Sequence, residues 1–159
     1  RQVKILKQNR MDKLLDEYMK RIQAGDTKAM NEIALIFQNS YQNKEAEKWF
    51  LKAIEAGDYE YANNLGYLYY YELDDLKKGE EYFLKAIKIN KKDTSAMTNL
   101  ANLYIFVKKD KEAEKLLLKV VELEENEKHL NNLLKFYNEI GENRKAQRIE
   151  KRLEKIKKK

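Results

Sequence analysis

Residues 19–37, MKRIQAGDTKAMNEIALIF, return 32 positions later as residues 51–69, LKAIEAGDYEYANNLGYLY. Lys20/Lys52, Ile22/Ile54, Ala24/Ala56, Gly25/Gly57, Asp26/Asp58 and Asn31/Asn63 are identical between the two copies. NKEAEKWFLKAIEA (43–56) returns as KKGEEYFLKAIKIN (77–90), KKDKEAEKLLLKVVEL (108–123) carries the theme on, and GENRKAQRIEKRLEKI (141–156) ends it. A period of this length is the mark of one supersecondary unit stacked on copies of itself. A single unit is too small to bury its own apolar face, so stability comes from the stacking.

Each unit reads as two helices. The first members are expected at about 27–39, 59–72, 94–107 and 126–139, the second at about 43–56, 75–89, 110–122 and 143–158. A leading helix near 11–24 takes the place of a second helix from an incomplete unit. Gly25-Asp26 and Gly57-Asp58 supply a glycine to end one helix and an aspartate to cap the next. Asn43, Asp110 and Asn143 are expected as N-caps of second helices. Links this short make neighbouring helices antiparallel. The repeats fall at about 27–57, 58–90, 93–123 and 126–158, in a single domain over 1–159. The composition agrees with a helical chain: no proline, five glycines and 38% charged residues among 159.

The units resemble the tetratricopeptide repeat and the related Sel1-like repeat. The motif of a Leu-Gly, an aromatic three residues on, then a small-aromatic-small set stands here as Leu65-Gly66, Tyr69, Gly79, Phe83 and Ala86. It recurs as Ile33-Ala34, Phe37, Ala46, Phe50, Ala53, and as Leu100-Ala101, Tyr104, Ala113, Leu117, Val120. The last unit keeps Leu133-Leu134, Tyr137 and Ala146, with Glu150 where an aromatic belongs. The link 53–66 looks Sel1-like, and the link 86–101 has tetratricopeptide spacing. The resemblance covers about residues 11–150. It implies an all-α, right-handed superhelix (an α-solenoid) of antiparallel helix pairs. The polar helix 143–158, with Ile149, Leu153 and Ile156 as its apolar stripe, would close it as a C-terminal cap.

Six tyrosines fall within residues 59–71, three of them consecutive. One helix cannot turn three neighbours toward one core. Ala62, Leu65, Gly66 and Tyr69 lie at i, i+3, i+4 and i+7, the core face. Asn63, Tyr67, Tyr70 and Tyr71 form a second stripe. In the family resembled, first helices line the concave groove, so the resemblance places that stripe in the groove. The equivalents elsewhere are Asn31, Leu35, Gln38 and Asn39; Thr98, Asn102, Ile105 and Phe106; and Asn131, Lys135, Asn138 and Glu139. Asn64, Asn99 and Asn132 recur before the motif leucine. Together, Tyr67, Tyr70, Tyr71, Ile105 and Phe106 would anchor a peptide or helix of a partner protein. Asn63, Asn64, Asn99, Asn102 and Asn131 would hydrogen-bond its backbone. The competing reading packs these aromatics against the neighbouring unit. Some relatives grip a C-terminal carboxylate with lysine, asparagine and arginine. The best frame here gives Asn63, Tyr67, Asn99, Lys128 and Asn132, in which only Asn99 and Lys128 fit.

Little else suggests chemistry. Without cysteine there is no disulfide or thiol nucleophile. The lone His129 has no second histidine beside it and is expected at a surface or interface, not on a metal. Ser40 and Ser95 lie in no nucleophile context, Asp74-Asp75 reads as a turn and helix cap, and no phosphate-binding glycine loop is present. The expectation is a non-enzymatic module with no cofactor and no metal, acting as monomer or homodimer. No run nears the roughly 20 apolar residues that span a bilayer. The chain starts at Arg1, as expected after removal of a leader or within a larger parent; a cytoplasmic placement is preferred. Residues 144–159 hold nine Lys/Arg against two acids, while the rest is close to neutral. This basic tail is the route by which nucleic acid could be a partner instead.

Overall fold

The computed structural model describes residues 2–158 and is all-α, with no strand among them. Its helices are α1 (Gln2–Gln23), α2 (Lys28–Asn39), α3 (Asn43–Glu55), α4 (Ala62–Tyr67), α5 (Leu76–Ile89), α6 (Thr94–Phe106), α7 (Asp110–Leu123), α8 (Glu127–Glu139) and α9 (Asn143–Lys157). A π-helical turn, Leu68–Glu72, continues α4. The chain divides into two compact units, residues 1–78 and 79–159.

In the first unit α2 packs on α1 and α3, and α3 on α4. Ala29, Ile33, Ala34, Ala46, Phe50, Ala53, Leu65 and Leu68 fill its core. The buried alanines let helix axes approach, and Phe37, Phe50 and Tyr69 occupy the space between. In the second unit α6 packs on α7, α7 on α8, and α8 on α9. Leu117, Val121, Leu130, Leu133, Phe136, Ile149 and Leu153 form one continuous core there. The helix α9 buries Ile149 and Leu153 of the expected capping stripe, together with Ala146, while Ile156 is half-buried against the same core.

Several expectations needed correction. The leading helix runs from Gln2, not from about residue 11, and buries no residue along its length. The helix expected at 59 begins at Ala62. The Asp58 side chain accepts from the Glu60 amide at 3.1 Å, closing a local turn in place of a helix start. Asn43, Asp110 and Asn143 are the first helical residues, not side-chain caps. Asn43 Oδ1 has no hydrogen-bond partner.

A left-handed residue shapes these second-helix entries instead. Tyr41 (φ 57°), Asp74 (φ 54°), Lys108 (φ 61°) and Gly141 (φ 75°) each stand two residues before a second helix. Side-chain caps do occur elsewhere. Asp75 accepts from the Lys78 amide, Asp93 from Ala96, and Asn126 from His129.

A three-residue interlock recurs with the period of the repeat. The motif tyrosine of a first helix donates its hydroxyl to a glutamate of the preceding second helix. A lysine at the entry to the following second helix pairs with that glutamate and lies over the tyrosine ring. In the first unit Tyr69 donates to Glu47 at 2.6 Å, and Lys78 Nζ is 3.8 Å from Glu47 and 4.7 Å from the ring centre. In the second unit Tyr104 bonds Glu80, with Lys109 at 3.6 Å from Glu80 and 5.1 Å from the ring. Tyr137 donates to Glu114 at 2.9 Å, with Lys145 at 2.8 Å from Glu114 and 5.4 Å from the ring. Burial first, then the bond to Glu80, pushes the Tyr104 hydroxyl up to about 12. The same two causes raise Tyr137. Phe37, with no hydroxyl, stands where the first tyrosine would be, and Gln147 stands where the last glutamate would be.

Candidate functional site

The leftover tyrosines of the first unit form one cluster of rings. Tyr67 and Tyr71 have ring centres 4.4 Å apart, and Tyr70 and Tyr71 4.3 Å apart. Tyr69, by contrast, is 2% exposed. Side chains i and i+1 on an α-helix diverge by about 100°, which would splay Tyr70 from Tyr71. The π-turn reduces that angle, because it closes i→i+5 bonds and so holds more residues per turn. The Leu73 amide reaches the Leu68 carbonyl at 3.0 Å, and the Asp75 amide reaches the Tyr69 carbonyl at 2.8 Å. Tyr67 and Tyr71 remain 40% and 45% exposed, and Tyr70 is half-buried. Burial, followed by the neighbouring Tyr71 hydroxyl, raises the Tyr70 pKa. Asn63 and Asn64 lie half-buried on the same helix.

The second unit holds the remaining expected residues. On α6, Asn102 and Phe106 are exposed, Phe106 at 63%, while Asn99 and Ile105 are half-buried. Asn102 and Ile105 line a cavity of about 210 Å³ with Leu117, Asn132, Lys135, Phe136 and Glu139. The exposed Asn131 lines a shallower one of about 460 Å³ with Leu134, Lys135, Asn138 and Glu139. The two share Lys135 and Glu139, so Asn102, Ile105 and Asn131 border one depression between α6 and α8. Asn99 and Phe106 line neither cavity.

Asn31 does not line a surface. It is 1% exposed, its Nδ2 has no partner, and α2 is therefore covered on the face opposite Ile33 as well. His129, expected at a surface or an interface, is buried at 6% exposure. Its amide is held by the Asn126 cap, which turns the ring inward, and its Nε2 lies 3.4 Å from Glu124. Among the described residues no three His, Asp or Glu side chains gather in a way that could hold a metal ion.

The sequence did not point to a third cavity, of about 620 Å³, in the second unit. Leu84 of α5, Leu100 and Tyr104 of α6, and Leu116 and Leu118 of α7 line it, with Glu112, Lys115, Lys119 and Glu122 at its rim. The only available signal was a pair of leucines, Leu84 and Leu118, outside the motif positions; both are exposed.

Two family models, each described as tetratricopeptide repeat, match residues 59–93 and 94–125. Residues 59–125 are tetratricopeptide repeats. No curated protein sequence matches it. Solved structures share the fold of this repeat chain at low identity. The protein MamA superposes with a TM-score of 0.79 at 14% identity, over 96% of this chain and 85% of its own. YrrB, described as a TPR protein with an unusual peptide-binding site, gives 0.73 at 21%, over 93% and 78%. The first TPR of Spaghetti (RPAP3), solved bound to the HSP90 peptide SRMEEVD, gives 0.65 at 22%, over 72% and 93%. Family and fold are those of a protein-interaction module.

Proposed function

We propose that this tetratricopeptide-repeat chain is a non-enzymatic scaffold that holds an extended peptide or a helix of a partner protein. The residues in contact would be Tyr67, Tyr70 and Tyr71 with Asn63 and Asn64, and Ile105 and Phe106 with Asn99, Asn102 and Asn131. The observation that carries this reading is the tyrosine cluster. Three rings are gathered by a π-turn and left partly exposed instead of being spent on the core. Clustered tyrosines bury large area at low entropic cost and dominate binding energy where they anchor a partner. Asparagine supplies both donor and acceptor to a peptide backbone. The peptide on the Spaghetti repeat, and the peptide-binding site ascribed to YrrB, support this reading by analogy of fold. A carboxylate clamp is not part of the proposal, because Asn63, Tyr67 and Asn132 stand at three of the five positions of that frame and do not fit it.

Selection from a displayed random-peptide library tests this. Wild type is the bait, and Tyr67→Ala/Tyr70→Ala/Tyr71→Ala, shown by circular dichroism to be folded, is the counter-bait. A consensus that survives counter-selection is the expected result. A consensus retained equally by both baits would remove the tyrosines from the site.

A further inference from the structure

On α9 the basic residues divide into two sets. Lys145, Arg152 and Lys157 are turned back onto the body of the unit, pairing with Glu114, Glu125 and Glu127 at 2.8, 3.0 and 3.4 Å. Arg144, Arg148, Lys151, Lys155 and the C-cap residue Lys158 make no ion pair among the described residues. Their spacing of four, three, four and three places all five on one stripe, directly opposite the buried Ala146, Ile149 and Leu153. At about 100° per residue the stripe is roughly 80° wide, and at about 1.5 Å per residue it is roughly 21 Å long. Gln147 and Glu154 lie about 20° and 40° beyond one edge of it, and Glu150 lies further round.

We infer that this stripe is a docking surface for the phosphate backbone of double-helical nucleic acid, independent of the tyrosine cluster. The chemistry of the stripe selects the partner. It offers no apolar side chain, so it has nothing to insert into a bilayer, and α9's own apolar stripe is used against α8. It offers no aromatic on which single-stranded bases could stack. What remains is a row of cations, which fits a partner recognised by charge density alone. A duplex carries one negative charge per about 1.7 Å, so a segment as long as the stripe holds roughly a dozen phosphates around its circumference. Binding held by charge alone carries no sequence preference.

The test is fluorescence anisotropy of a labelled 24-base-pair duplex of arbitrary sequence, titrated with the full chain. Near 150 mM KCl the Kd should fall at about 10⁻⁴–10⁻⁶ M, and engagement of four to five phosphates should weaken binding a few-hundred-fold between 50 and 200 mM. Arg148→Glu/Lys151→Glu should lower affinity by at least tenfold. Lys91→Glu/Lys92→Glu, an equal change of net charge in the exposed turn before α6, should leave most of it. If the first variant loses helicity, Arg144→Gln/Lys155→Gln replaces it, with the same expected direction. The triple-tyrosine variant should bind the duplex as wild type does. No binding at 50 mM, equal losses from both charge reversals, or co-sedimentation with anionic phosphatidylserine vesicles in place of duplex binding would each overturn the inference.

Discussion

The Tyr137 hydroxyl is buried and donates to Glu114, which Lys145 also holds. Replacing Glu114 by alanine leaves the hydroxyl and the ammonium without their acceptor. A buried group stripped of its partner costs about 1–3 kcal/mol, so Glu114→Ala should lower Tm by several degrees at neutral pH. The Lys145 ammonium, then the Tyr137 hydroxyl, holds the Glu114 carboxyl below the usual carboxylate range, against the opposing effect of burial. A carboxyl with a depressed folded pKa binds fewer protons when folded, so its contribution is present above its unfolded pKa, roughly 4.3. It fades as pH falls through the folded value. The Tm gap between wild type and Glu114→Gln should therefore be widest near pH 7 and close below about pH 4. A gap that stays constant down to pH 3 would show that the ionised carboxylate contributes nothing. At this scale the sequence told Tyr69 from its neighbours, because the core stripe has helical period. It did not show that Glu47, Glu80 and Glu114 were partners of the motif tyrosines, because those pairs lie 22 to 24 positions apart. Nor did it show Asn31 or His129 to be buried; both are polar, and residue type argued for a surface.

Among the elements, the helices after the leading one were legible almost to their ends, while the start of the leading helix and the turns were not. Periodicity fixes which residues face a neighbour, but nothing in it records a left-handed residue. Lysine at position 108 gives no such hint, yet φ there is 61°. Holding a side-chain-bearing residue in that region costs about 1–2 kcal/mol, and glycine's extra unfolded-state entropy returns about 0.5–1 kcal/mol of any gain. Lys108→Gly should therefore raise stability by roughly 0.5–1 kcal/mol in urea denaturation, through the midpoint and not the slope. A loss of stability would mean that the Lys108 side chain does more than occupy a strained turn. The π-turn was hidden for a related reason. Three consecutive tyrosines raise the question of where each one points, but only the i→i+5 bond after Leu68 explains how Tyr70 and Tyr71 come ring to ring.

Taken as a whole molecule, the chain is built by repetition, and repetition made its fold readable without a relative. The offset of 32, the recurring small residues and the aromatic three places after each motif glycine or alanine specify a fold shared with solved structures at no more than 22% identity. Function was legible less deeply, because a surface for another molecule leaves no periodic trace in the chain that bears it. The tyrosine cluster stood out only because it exceeds what a core stripe can absorb. The central claim is that the cluster anchors a partner. Isothermal titration of one library-selected peptide into wild type and into folded Tyr67→Ala/Tyr70→Ala/Tyr71→Ala tests it most directly. A true hot spot is worth about 2 kcal/mol or more, so the account predicts at least a thirtyfold weaker Kd for the variant. Equal affinities would contradict it and leave the rings as packing.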